Sequence, residues 1–89
     1  MGLRAEPVRV GVVFEKPGSS HAQPAGITSF RPVWFAAGSH KVQITDIHYS
    51  WTERKAEELF YKFTVSDGVN FYELSLNARK MQWEAAATD

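Results

Sequence analysis

Between Phe30 and Leu76 the chain alternates apolar and polar residues almost without interruption, and this stretch holds two of three tryptophans, all three tyrosines and five of six phenylalanines. Side chains on a strand repeat every two residues, so such a pattern specifies strands rather than helices. So many rings in so short a span predict a small, twisted all-β core. With 89 residues the chain is read as one domain, which buries roughly 60–65% of its unfolded surface and depends on a few large side chains. A hydrophobic content of 44% with 13% aromatics lies outside the disordered class.

Val8, Val10, Val12 and Phe14 share one parity, which predicts a first strand over residues 7–14. Residues 15–29, rich in Pro, Gly and Ser, read as a flexible loop. A second strand over 30–36 contains Pro32, which suggests an edge or a strand start. Residues 37–39 turn the chain into a long third strand over 41–52. Within it Val42 and Ile44 have one parity, while Ile47, Tyr49 and Trp51 have the other. A β-bulge near Thr45 and Asp46 would bring all five onto one core.

Residues 53–58 form a charged turn, read as a helical turn over 54–58. Leu59, Tyr61, Phe63 and Val65 then form an inner set, Asp67-Gly68 signals a hairpin, and Tyr72, Leu74 and Leu76 form the returning inner set. A short last strand over 80–84 competes with a helical turn over 81–87, and the chain is expected to fray from Ala85. Apolar residues on both parities would make the sheet curl upon itself. The expected fold is therefore a strongly coiled antiparallel sheet, or an SH3-like barrel, of five to six strands.

Chemistry is sparsely signalled. Without cysteine, the chain has no disulfides, thiolate metal sites or cysteine nucleophile. His21, His40 and His48 show no metal-ligand spacing; Asp46 and His48 share a strand face, but two ligands do not make a centre. No phosphate-binding loop occurs, and the acidic residues are explained by turns and the expected bulge. Neither a catalytic residue, a metal nor a cofactor is expected. The first residues carry no signal-peptide pattern, and no window approaches a membrane span, so a cytoplasmic protein is expected. Ten basic and ten acidic residues balance, which argues against binding dominated by nucleic-acid phosphates.

If one parity fills the core, Trp34, Phe60 and Phe71 face outward beside Arg31, Lys41, Arg54, Lys62 and Arg79. Rings interleaved with cations resemble the surfaces of single-strand and peptide readers. The rival reading is burial of these rings, the ordinary fate of large aromatics. The function expected is a non-enzymatic interaction domain that binds a protein partner or itself. The alternative is a weak single-stranded nucleic-acid-binding module.

Phe30-Arg-Pro-Val-Trp-Phe, the turn at Gly38, Lys41-Val42, and Ile47 followed by Trp51 resemble the pattern of small uncharacterised bacterial single-domain β proteins. The resemblance covers about half of the chain and implies a bacterial, cytoplasmic, single-domain protein without indicating an activity. The SH3-like analogy rests on strand count alone, and a shared fold does not carry function.

Overall fold

The computed structural model describes residues 5–14 and 30–88; the loop expected at 15–29 lies outside them. Seven strands form one antiparallel sheet: β1 (Glu6–Phe14), β2 (Phe30–Ala37), β3 (His40–Gln43), β4 (Asp46–Lys55), β5 (Glu58–Ser66), β6 (Phe71–Asn77) and β7 (Gln82–Thr88). Their order is β3-β2-β1-β7-β6-β5-β4. All-β architecture is thus established. The expectation of a strongly coiled sheet or SH3-like barrel of five to six strands is corrected: there are seven strands, and the ladder is open, with β3 and β4 as unpaired ends.

The strand number rises because residues 41–52 are two strands, not one. Ile44 and Thr45 separate β3 from β4. Their amides leave the strand ladders: Ile44 N–H donates to the Val33 carbonyl (3.0 Å) and Thr45 N–H to that of Ser66 (2.9 Å). These two residues therefore carry the chain from one end of the ladder to the other.

Pro32 is buried near the start of β2, outside the β2–β3 ladder that begins at Trp34 and at the point where the β1–β2 register slips: Gly11 pairs with Trp34 but Val12 with Pro32. Val33 is the extra residue, and a bulge is where a sheet tolerates a residue lacking an N–H. Residues 54–58 hold no helical turn. Lys55 pairs with Glu58, leaving Ala56 and Glu57 as a two-residue hairpin loop with Ala56 at φ 53°. The last strand extends through Thr88, paired with β6, in place of fraying from Ala85.

β1 divides its pairing. Glu6–Val8 join β7, and Arg9–Phe14 join β2. It thereby links a β2–β3 wing to the four strands β4–β7. The inner sides of the two parts meet through rings. Phe30 lies 5.6 Å from both Tyr61 and Phe63 and 6.5 Å from Trp83, and Phe35 lies 5.0 Å from Tyr72, all edge-on. Phe35, Val42, Phe63, Val65, Leu74 and Ala85 form the buried centre. Burying one such side chain contributes about 1.5–3 kcal/mol, so this ring-rich contact is a main source of stability in a chain this small. The outer side is continuous across the junction: Pro7 of β1 pairs with Glu84 of β7, and Arg9 and Glu84 line one depression.

Candidate functional site

Register assigns every candidate to a flank. Cross-strand partners share a face, so the outer side of β4–β7 carries the rung Trp51–Lys62–Ser75–Glu84, flanked by Glu53–Phe60–Asn77–Gln82 and Tyr49–Thr64–Glu73–Ala86. A further rung holds Asp46, Ser66, Phe71 and Thr88. The outer side of β1–β3 carries Arg9, Gly11 and Val13 with Arg31, Trp34, Ala36, Lys41 and Gln43.

The eight residues singled out in the sequence are thus divided. Arg31, Trp34 and Lys41 lie together on the β1–β3 flank. Phe60, Lys62 and Phe71 lie on the β4–β7 part of the same outer face, at a distance from the first three. Arg54 is exposed on the end strand β4, and Arg79 is exposed in the β6–β7 turn, where it shares a shallow depression with Phe60, Lys55 and Glu58.

On the first flank the Trp34 ring lies against the backbone of Gly11, so closely that an added Cβ would overlap its Nε1 and Cε2. The Lys41 ammonium sits over the ring, 4.6 Å from its centroid. An exposed cation–π contact of this kind contributes about 0.5–1 kcal/mol. The indole is therefore engaged by both Gly11 and Lys41. Arg9 donates to the Gly38 carbonyl at 3.4 Å.

On the second flank Lys62 is not a free cation. Its Nζ lies 3.1 Å from Glu73 Oε2 and 3.6 Å from Glu53 Oε1, and its side chain is only 16% exposed. Glu53 also lies 4.0 Å from Lys55 Nζ, and Glu58 accepts from Asn77 Nδ2 at 2.7 Å. Glu84 and Asp46 are exposed beside this network. Phe71 is 43% exposed and stacks on His48, with ring centroids 4.9 Å apart.

Sequence reasoning missed Tyr49 and Trp51 as outer residues, and His48, expected to face solvent, is half-buried at the irregularity. Tyr49 and Trp51 were expected to join Ile47 in the core, with a bulge at Thr45 and Asp46. The irregularity instead falls at His48, between the pairs Ile47–Val65 and Tyr49–Thr64. One extra residue there sends Tyr49 outward, 67% exposed, and puts Ser50 in the core opposite Phe63. The only available signal was the parity change, which did not fix the position of the extra residue. His48 Nε2 is buried without a hydrogen-bond partner.

A separate polar cluster closes the β5–β6 hairpin. Asp67 Oδ1 accepts the N–H groups of Asn70 (2.7 Å) and Val69 (2.9 Å), and Tyr72 donates to Oδ2 at 3.2 Å. The Asn70 and Val69 donors hold the Asp67 carboxyl below its usual range, with a smaller contribution from Tyr72. Burial, then the Asp67 charge, pushes the Tyr72 phenol up. This is turn chemistry, not a reactive centre.

Among the described residues no group of three His, Cys, Asp or Glu is placed to hold a metal, and no helix is long and apolar enough to cross a membrane. No protein-family model, curated protein or solved structure matches the chain. Of the resemblance drawn from Phe30 to Trp51, what stands is a small all-β domain; nothing supports bacterial origin in particular.

Proposed function

We propose that this chain is a non-enzymatic protein-binding module that receives its partner on the outer side of β4–β7. The observation carrying this reading is the pair of exposed rings, Tyr49 at 67% and Phe71 at 43%, the second packed on His48, both bordered by carboxylates. Aromatic anchors within a polar rim are the usual composition of a binding patch. Asp46 shares the rung of Phe71 and Glu73 the rung of Tyr49, whereas the cations of that side are Lys62, already paired with Glu53 and Glu73, and Lys55, Arg79 and Lys80 at the hairpin ends, which favours a basic partner segment beside the two rings over a phosphate backbone. The engagement of Trp34 by Gly11 and Lys41 occupies one of the two rings, Trp34 and Phe60, on which the nucleic-acid alternative rests.

A titration followed by backbone amide chemical shifts tests the proposal. A short synthetic peptide of alternating lysine and tryptophan is expected to shift the amides of Tyr49, Phe71, Glu73 and Glu84, less so in high salt. Shifts confined to other surfaces, or none, would reject it. A single-stranded oligothymidine is expected to leave these amides unmoved.

A further inference from the structure

The open ladder ends in two edge strands of unequal kind. β3 has four residues and carries Lys41 over Trp34, the short and charged form in which edges are commonly blunted. β4 has ten residues. The irregularity at His48 disturbs its first part, but residues 49–55 pair with β5 without interruption. Lys55 and Glu58 close a two-residue loop, and such a closing pair exchanges both of its backbone hydrogen bonds. Alternation along the strand then directs the N–H and C=O groups of Lys55, Glu53 and Trp51 to β5, and those of Arg54 and Thr52 away from it. Arg54 and Thr52 are exposed, and among the described residues no strand meets this edge.

We infer that residues 49–55 of β4 pair with the same residues of a second copy of this chain, antiparallel about a twofold axis at Thr52. An antiparallel edge is complementary to itself, and a twofold contact closes at a dimer. The side chains select the register. Thr52 is the midpoint of the regular segment, so an axis there pairs it along its whole length, about 24 Å. Thr52 then meets Thr52 of the second copy, a favourable cross-strand pair. On the outer side Trp51 stands opposite Glu53 of the second copy, and Tyr49 opposite Lys55. Glu53 keeps 37% of its side chain exposed beside Lys62 and can accept from the Trp51 indole N–H, while the Lys55 ammonium meets the Tyr49 ring. No like charges are directly opposed. An axis at Glu53 would set two glutamates against each other, and one at Trp51 would shorten the regular pairing and put Lys55 against the irregular part of β4. The contact uses the edge of β4 and not a patch on its outer side, so it stands apart from the basic-segment reading above.

Sedimentation equilibrium of the full chain at about 0.01–1 mM tests the inference, the range suited to a contact smaller than the standard of about 800 Å² per partner. The wild-type mass is expected to rise to that of a dimer and no further. Thr52→Lys and Thr52→Glu each set like charges face to face at the axis and should be monomeric. Their equimolar mixture should regain the dimer, and added salt should weaken it. Thr52 is exposed and its backbone groups face away from β5, so both variants should melt cooperatively, near the wild type. Thr52→Pro removes only the outward N–H, which an edge strand tolerates, and should give a folded monomer. A wild-type chain still monomeric at about 1 mM overturns the inference. So does growth past the dimer, a charged variant that dimerises alone as the wild type does, a mixture that behaves as its two components, or a folded Thr52→Pro dimer. If the chain is monomeric while the lysine–tryptophan peptide still shifts Tyr49 and Phe71, the β4 pairing fails and the protein-binding reading stands.

Discussion

Gly11 lacks a side chain where Trp34 needs the space: the indole occupies the position that a β-carbon would take. The two residues are directly paired across β1 and β2, next to the bulge at Val33. Gly11→Ala should therefore displace the ring from the backbone and from Lys41. The expected destabilisation is about 1–3 kcal/mol, typical of adding a methyl group where there is no room. In Gly11→Ala/Trp34→Val the second change makes that room, so urea denaturation should show the pair to be clearly less than additive. Strict additivity would mean that the close approach has no energetic consequence.

The alternation that places Leu59, Tyr61, Phe63 and Val65 opposite Leu76, Leu74 and Tyr72 was legible in the sequence, because these strands pair locally through the Asp67-Gly68 turn. What alternation does not encode is which distant strands pair. The insertion of β1 between β2 and β7 rests on contacts from opposite ends of the chain, and no local propensity specifies it. A parity change reveals that an irregularity exists, but the choice between Thr45 and His48 depends on where β5 supplies hydrogen bonds. That choice decides whether Tyr49 is core or surface. The candidate site was legible only as residue types for the same reason: Arg31 and Lys62 look equivalent in the sequence, yet the strand order puts β1, β7 and β6 between them.

Ala56 occupies the left-handed region at φ 53° in the β4–β5 hairpin. A residue with a β-carbon is strained there, at a cost of roughly 1–2 kcal/mol, and glycine is not. Replacement by glycine relieves that strain but adds freedom to the unfolded chain. Ala56→Gly is expected to stabilise the domain by up to about 1 kcal/mol, seen as a higher urea midpoint with an unchanged slope. A lower midpoint would show that the turn has another conformation.

The Glu53–Lys62–Glu73 cluster predicts a salt-sensitive contribution. Both carboxylates are 37% exposed, so solvent weakens the pairs, and Lys62→Ala should cost only about 1 kcal/mol. The loss should shrink as salt screens the wild-type protein. Equal losses at low and high salt would assign the effect to the packed lysine stem instead.

Phe63 is fully buried and meets Phe30 and Trp83, which tie β2 and β7 to the same point. Phe63→Ala should cost about 3–5 kcal/mol. For a domain this small, that is most of the stability available. Loss of the cooperative thermal transition is the expected result; a variant melting within a few degrees of wild type would show that the centre lies elsewhere.

Asp67 and Tyr72 give the pH dependence two separate limbs. The folded carboxyl titrates below the unfolded value of about 3.9. Its contribution is therefore present above about pH 4 and is lost as pH falls through the folded value. The phenol has the opposite arrangement: its folded value lies above the unfolded one of about 10, so its contribution is present below about pH 10 and is lost as pH rises through the folded value. Asp67→Asn should flatten the acid limb of a urea-midpoint profile, and Tyr72→Phe the alkaline limb. Because the Asp67 charge is a secondary cause of the Tyr72 shift, after burial, Asp67→Asn should also move the alkaline limb slightly to lower pH. An alkaline limb unchanged in both variants would mean that Tyr72 does not contact Asp67 in solution.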